Sequence, residues 1–369
     1  MNLKSNLKDQ SFQFEEQKLL YDWFHKNKRD LPWRRFNSTQ TRDPYKTWIS
    51  EIMLQQTQVS AVVSYFENWV KKFPTLKSLA KSSENEVLEM WAGLGYYSRA
   101  KNIHETAKKV VAEYKGNMPV TRAELLSLKG IGEYTVGAIL SLAYNQPEPI
   151  LDGNIIRIFS RRYGFKNYPL ASSERKEFWK KAEEWATCDY TQSVNEGLME
   201  LGALVCTPKS PSCEQCPIQK GCVANQEGTQ GLWPIKRVKK KVVEVKETAL
   251  YIKYRNKVLL YAPTKKELLT GYLTFPRIPQ VNSIQLTQEL QSSFELLKEG
   301  DFTSQLLEGF VKHTITHHKM LINVCLIELR KKRFSLDKME GFQWVHADKV
   351  KEKFMTALST KLYNAMLLS

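Results

Sequence analysis

The sequence predicts a two-domain protein, an all-helical domain followed by a smaller one that mixes strands and helices. Three observations carry this. The chain has 369 residues, beyond the roughly 250–300 at which a single core stops growing. From Glu15 to about Tyr190 the apolar residues recur at helical spacing, and from residue 247 they alternate with the period of a strand.

In the first domain, WISEIMLQQTQVSAVVSYFENWV (48–70) and LKSLAKSSENEVLEMWAGL (76–94) carry the helical period between short glycine or proline breaks. LLSLKGIGEYTVGAILSLAY (125–144) divides into two helical segments joined by Lys129-Gly130-Ile131-Gly132. After Cys222, NQEGTQGLWPIKRVKKK loses all periodicity and turns strongly basic, the composition of an exposed connection. The expected division is a first domain over 1–225, a basic linker over 226–241 and a second domain over 242–369. In the second domain ETALYIKYRNKVLLYAP (247–263) reads as a hairpin turning at Arg255-Asn256, and HHKMLINVCLIEL (317–329) as a further strand. Helical spacing returns at Leu286–Leu297 and Val350–Leu367.

Apolar residues make up 42% and charged residues 25%, which suits globular domains. The 55 Lys and Arg exceed the 39 Asp and Glu, giving a net charge of +16. That excess favours a polyanion: nucleic acid first, since basic side chains release condensed counterions from phosphates, with an anionic membrane surface as the other reading. The opening MNLKSNLKDQSFQFEEQ lacks the apolar core of a signal peptide, and no run reaches the roughly 20 apolar residues of a membrane span. A cytoplasmic protein with no membrane contact is expected.

Four of the six cysteines, Cys206, Cys213, Cys216 and Cys222, fall in the loop CTPKSPSCEQCPIQKGC. In a reducing compartment such a cluster points to a metal site rather than to disulfides. Four thiolates suit tetrahedral zinc or a four-iron cubane. A zinc ribbon separates its two knuckles widely, so one compact loop lies closer to the iron-sulfur pattern. Cys188 and Cys325 read as buried small side chains.

At the hairpin, Gly130 and Gly132 let the backbone turn sharply and leave amide N–H groups bare at a helix start, where the dipole favours a phosphate. A plain tight turn is the bland account, but with the basic excess of the chain these glycines and Lys129 are read as DNA-backbone contacts. Glu51 is one carboxylate in an otherwise apolar helix. Buried there, its pKa would rise and it could serve as a general acid; on the solvent face or paired with an arginine it would do neither. Asp152 follows two prolines and precedes a helical run, the place of an N-cap, which would keep it ionised. A protonated Glu51 opposite an ionised Asp152 is the carboxyl pair that cleaves glycosidic bonds.

LPWR (31–34), DPYKTWISEIMLQQTQV (43–59), GLGYYSRAKN (93–102), LKGIGEYTVGA (128–138), LDGN (151–154), NEGLMELGALVC (195–206) and the cysteine loop together resemble the MutY-type adenine-DNA glycosylases of the helix-hairpin-helix superfamily. The resemblance covers nearly all of the first 225 residues. It implies an all-α helix-hairpin-helix glycosylase domain with an iron-sulfur loop, followed by an α+β Nudix-like domain. The implied activity is base excision repair: adenine opposite 8-oxoguanine or guanine is flipped from duplex DNA and its N-glycosidic bond hydrolysed. The protein would act as a monomer, associated with the nucleoid through its DNA.

By that resemblance Glu51 protonates the adenine leaving group, Asp152 stabilises or traps the sugar cation, and Tyr134 and Asn154 support them. Arg29, Trp33, Arg34, Leu54 and Glu196 match positions lining the adenine pocket, while Gln56, Thr57 and Tyr96 match residues that wedge the helix beside 8-oxoguanine. The four cysteines match the ligands of a 4Fe-4S cluster. The related endonuclease III carries at the position of Tyr134 a lysine that forms a Schiff base; tyrosine has no amine, so a glycosylase without a lyase step is expected. The remaining alternative, an iron-sulfur protein that only binds DNA, has no need of Glu51 and Asp152.

In the second domain LLTGYLTFP (268–276) falls at a strand of the Nudix-related domain, but residues 277–300 lack the arginine and clustered glutamates of a hydrolase. Recognition of 8-oxoguanine is the implied role. Where the family carries Phe-Ser-His, this chain has Ile315-Thr316-His317, so Thr316 and His317 are the candidate contacts and an aromatic ring is lost. The segment Arg35–Thr41 is longer than the resemblance leads one to expect.

Overall fold

A computed structural model describes residues 3–36, 42–165, 172–234, 241–264, 268–293, 300, 302–331, 339–354 and 356–367. The chain divides into two compact units, Met1–Val238 and Lys239–Ser369.

The first unit is helical, and its helix starts carry the capping chemistry that the sequence supplies. α1 spans Leu3–Asn27, a dozen residues ahead of where the periodicity suggests. α2 (Pro44–Leu54) begins with proline, and the Asp43 side chain accepts hydrogen bonds from the Tyr45 and Lys46 amides. α3 (Val59–Lys72), α4 (Leu76–Lys81) and α5 (Glu84–Met90) follow, the last two opened by reciprocal boxes of Thr75 with Ser78 and Ser83 with Glu86. α6 (Ser98–Glu113) lies against the hairpin of α7 (Arg122–Leu126) and α8 (Glu133–Ala138), and α8 continues through a wider π turn at Ile139–Ala143. α9 (Gly153–Tyr163), α10 (Ser172–Ala186), α11 (Thr191–Leu204) and the short α12 (Val223–Gln226) complete the unit.

One core joins Leu20, Ala138, Ile150, Ile155, Phe159, Trp185, Leu198 and Leu201, so α1, α8, α9, α10 and α11 pack on one another. A second group of buried rings, Trp48, Trp69 and Trp91, anchors α2; the Trp69 indole donates to the Tyr45 hydroxyl, which donates to the Phe73 carbonyl. Gly130 has φ +77°, and a Cβ there would lie 2.9 Å from Asn102 Cβ, so the hairpin turn requires glycine.

In the second unit β1 (Val243–Tyr254), β2 (Lys257–Tyr261), β3 (Arg277–Pro279), β4 (Phe302–Leu306), β5 (Val311–Ile315), β6 (His318–Leu329) and β7 (Phe342–His346) form one sheet of order β4-β6-β1-β2-β7, with β3 pairing on β1 and β5 on β6. The long β1 and β6 run parallel and the other pairs antiparallel. β1 and β2 turn at Arg255-Asn256, as the sequence predicts. Alternate residues face opposite sides, so α13 (Ser283–Ser293) buries Leu286 and Leu290 on one face and α14 (Ala357–Leu367) buries Leu358 and Leu362 on the other.

Three expectations are corrected. Within 268–276, residues 268–271 form a turn and only Thr274 pairs with β2, the strand itself coming at Arg277–Pro279, because Gly271 at φ +77° bends the chain. Val350–Leu367 is not one helix: two short 3-10 turns precede α14. Cys188 is half-buried, while Cys325 is buried as expected.

The hairpin's second helix packs so closely that a Cβ on Gly137 would overlap the Pro149 carbonyl oxygen. Gly137→Ala is therefore expected to cost about 1–3 kcal/mol, measured as a lowered urea midpoint with unchanged slope.

Candidate active site

Four helices and the loops between them converge on a cavity of about 530 Å³. Thr47, Ser50, Glu51 and Leu54 fall on one face of α2 by their helical spacing and line it together with Gln56 and Thr57 just beyond the helix end. The hairpin helix α8 contributes Tyr134, the start of α9 contributes Asp152 and Asn154, and α11 contributes Glu196 and Glu200. Arg29, Trp33, Arg34 and Arg42 close the remaining wall.

Glu51 is 4% exposed, and the Tyr134 hydroxyl donates to its Oε2 at 2.6 Å. Burial pushes its pKa up to about 7, against the lowering effect of that bond, with the charges of Glu196 and Asp152 adding to the rise. The expected solvent-facing or arginine-paired alternatives therefore do not describe it. Asp152 caps α9: Oδ1 accepts from the Ile155 amide at 2.8 Å and Oδ2 from the Asn154 side chain at 2.9 Å. Capping does not dominate, however, since burial moves the Asp152 pKa upward in spite of these donors. The two carboxyls share the cavity in different surroundings, one meeting a phenol and the other two N–H donors.

Across the cavity runs a ladder of ion pairs. Arg29 forks onto Glu200 at 2.7 and 2.9 Å, Arg34 reaches Glu200 at 2.8 Å and Glu196 at 2.9 Å, and Arg42 reaches Glu196 at 2.5 Å. Although burial opposes it, the guanidiniums of Arg29 and Arg34 hold the Glu200 carboxyl down at about 2. Glu200 and Arg42 escape a motif-based reading; the signal available is the four-residue spacing of Glu196 and Glu200 in NEGLMELG, which puts two acids on one helical face.

Other candidate residues lie outside the cavity. Tyr96 is exposed at φ +49° with Arg99 over its ring. The Arg99 guanidinium donates to the Ile52, Gln55, Leu94 and Gly95 carbonyls, tying the end of α2 to that turn. Lys129 stands exposed in an ion pair with Glu105, and Gly132 starts α8 with no side-chain cap. Thr316, at φ +55°, and His317 make the turn between β5 and β6 in the second unit, with Thr316 Oγ1 3.3 Å from His317 Nδ1. Of the longer segment 35–41, residues 37–41 lie outside the described residues.

Cys206, Cys213, Cys216 and Cys222 line a separate cavity. Among the described residues no three acids, histidines or cysteines close on a single ion. Burial pushes Cys216 up to about 12, aided by its neighbouring thiols, and a bound cation would favour the thiolate form. The loop is held by buried arginines of α9: Arg161 donates to the Thr207 and Pro208 carbonyls and to Cys206 Sγ, and Arg162 to the Ile218 and Lys220 carbonyls.

Comparison with known proteins accords with this arrangement. Residues 49–184 match the HhH-GPD superfamily of base excision DNA repair proteins, and residues 206–222 match the iron-sulfur binding domain of endonuclease III. The chain is 28% identical to a thermostable thymine-DNA glycosylase of known structure, with a TM-score of 0.53 over 60% of this chain and 99% of that one. These matches define a DNA N-glycosylase of base excision repair that carries a 4Fe-4S cluster.

More specifically, the chain is 39% identical over 259 residues to the adenine DNA glycosylase of Buchnera aphidicola subsp. Schizaphis graminum, covering 70% of this chain and 73% of the relative. Identity is 36% over 314 residues to that of B. aphidicola subsp. Acyrthosiphon pisum, covering 84% and 86%, and 43% over 215 residues to the human enzyme, covering 57% and 39%. The chain belongs to the adenine DNA glycosylase family.

The buried acid has a thermodynamic signature. A pKa raised from 4.5 to about 7 means that the fold holds this proton more tightly than the unfolded chain does, so its stabilising effect is full below about 4.5 and lost as pH rises through about 7. Glu51→Gln removes the ionisation. The variant's stability relative to the parent is expected to rise by on the order of 3 kcal/mol between about pH 4.5 and pH 8, read from urea midpoints.

Proposed function

We propose that the protein flips adenine mispaired with 8-oxoguanine or guanine out of duplex DNA and hydrolyses its N-glycosidic bond without a lyase step. The observation that carries this reading is the buried hydrogen bond from Tyr134 to Glu51 beside the capped Asp152. With its pKa near 7, Glu51 is about half protonated at neutral pH and can deliver the proton to a ring nitrogen as the bond to C1′ breaks and its electron pair leaves with the base. Asp152, aimed by the Ile155 amide and Asn154, offers its carboxylate to the sugar cation, and water then adds at C1′. Leu54 and Trp33 give the base apolar walls, and Arg29, Arg34 and Glu196 supply polar contacts at its edge.

The hairpin at Lys129–Gly132 meets the DNA backbone in this reading, the uncapped amides after Gly132 donating to a phosphate. Gln56, Thr57 and Tyr96 enter the helix at the lesion; the positive φ of Gln56 and Tyr96 marks two sharp turns suited to projecting side chains. The cluster, when bound, takes the four cysteines as ligands and fixes the loop, while hydrolysis uses no electron from it. The second unit, a Nudix-like domain without hydrolase motif, recognises 8-oxoguanine through Thr316 and His317. The protein acts as a monomer in the cytoplasm, on the nucleoid.

Tyrosine at position 134 supports the absence of a lyase step, since a Schiff base needs an amine. The decisive test is single-turnover base release from duplexes holding adenine opposite 8-oxoguanine, adenine opposite guanine, thymine opposite guanine, or an oxidised pyrimidine. Strand products are expected from the adenine duplexes alone and only after alkali. Direct cutting of the pyrimidine duplex would reassign the site. Glu51→Gln is expected to slow adenine release by about 10²–10⁴-fold, and the parent's rate to fall as pH rises above about 7.

A further inference from the structure

We infer that Arg42 is a positioning residue for base release, the second arm of a two-guanidinium clamp that fixes the Glu196 carboxylate against the extruded base. This rests on the reading of the cavity given above. Arg42 directly precedes the capping Asp43 of α2, so the backbone that places Glu51 also places this guanidinium. Its side chain is 7% exposed and that of Glu196 4% exposed, and the two meet at 2.5 Å. Arg34 Nε takes the opposite carboxylate oxygen at 2.9 Å. With one donor on each oxygen, the carboxylate plane cannot rotate, and each oxygen keeps a lone pair for an N–H group of a base.

Two further observations describe the setting of Arg42. Its guanidinium is steadied from the other side by the Phe36 ring, 5.4 Å from its centroid, and its Nε is buried with no hydrogen-bond acceptor. Arg34 also serves Glu200, whereas Arg42 has Glu196 as its carboxylate partner.

Arg42 also sets the charge that Glu51 feels. Tyr134 of α8, Asp152 at the start of α9, Glu196 of α11 and Arg34 face Glu51, and the charge of Glu196 raises its proton affinity. Facing Glu196 are Arg34, Arg42 and, from α1, His25, with Glu200 one turn along its own helix. Removing Arg42 leaves Glu196 less compensated, so Glu51 should hold its proton to higher pH even as the base is held less well.

The test compares Arg42→Met and Arg42→Lys with the parent in single-turnover adenine release against pH, alongside duplex affinity and thermal unfolding. Arg42→Met is expected to lose about 10- to 100-fold in rate at pH 7, the scale of a misplaced reacting group. Its duplex affinity should stay within about twofold and its alkaline limb should move to higher pH, which a merely structural role would not do. Arg42→Lys keeps the charge without the fork, so the limb should stay in place and the rate fall by about threefold or more. A folded Arg42→Met protein with parental rate and pH profile overturns the inference. Should that variant not fold, parental rate in Arg42→Lys overturns it instead. If Glu51→Gln also retained full activity, the reading of the cavity itself would have failed, whereas a dead Glu51→Gln beside fully active Arg42 variants would condemn the clamp alone.

Discussion

A carboxyl group carried into the interior of a helical domain is the constraint around which this unit is built. Isolated in an apolar setting, Glu51 would be costly in its ionised form, and the Tyr134 hydroxyl gives it a partner without giving it a countercharge. An arginine in that place would have held the acid ionised. The phenol leaves it able to keep a proton near neutrality, and only the hairpin helix α8, drawn in by the close approach of Gly137 to Pro149, brings that phenol within reach.

The same chain of dependence runs along α9. Its first residues aim Asp152 and Asn154 at the cavity, while Arg157 accepts none of this passively: it donates to the Asn154 side chain at 2.9 Å and to the Gly202 and Cys206 carbonyls, each at 2.7 Å. One turn on, Arg161 and Arg162 grip the cysteine loop. A single helix of 11 residues thus has a cavity-lining carboxylate at its dipole-positive end and an iron-sulfur loop along its flank. Buried guanidiniums are tolerated here because a loop rich in Pro and turns exposes carbonyls that no helix or strand can satisfy.

What the sequence made legible follows from the range of the interactions. Local devices were readable: the Asp152 cap, the glycine turn of the hairpin, the turn at Arg255-Asn256 and the loop spacing of four cysteines each depend on residues a few positions apart. The acid on α2 was readable as an anomaly, but the choice between buried and exposed faces required Tyr134, which lies 83 residues away. The buried arginines Arg42, Arg161 and Arg162 and the half-buried Arg157 could not be told from surface charge, since composition counts a guanidinium the same wherever it sits. The balance at Asp152 also eluded sequence reasoning, because capping is local and desolvation is set by the whole fold. The turn at 268–271 was missed because its apolar residues suggested a strand and Gly271 was given too little weight.

The longer segment after LPWR takes on a physical sense at its ends. Phe36, near its start, and Arg42, just past its end, meet ring against guanidinium, with Arg42 in turn locked to Glu196. Closing a loop costs little more when a few residues are added, the cost rising only with the logarithm of its length. Added residues between two pinned ends therefore need not disturb the wall behind them. The wall depends instead on where the chain re-enters α2: Arg42, the Asp43 cap and Pro44 follow one another, so the register that seats the guanidinium on Glu196 is the register that carries Glu51, one helical turn beyond Thr47, to its phenol.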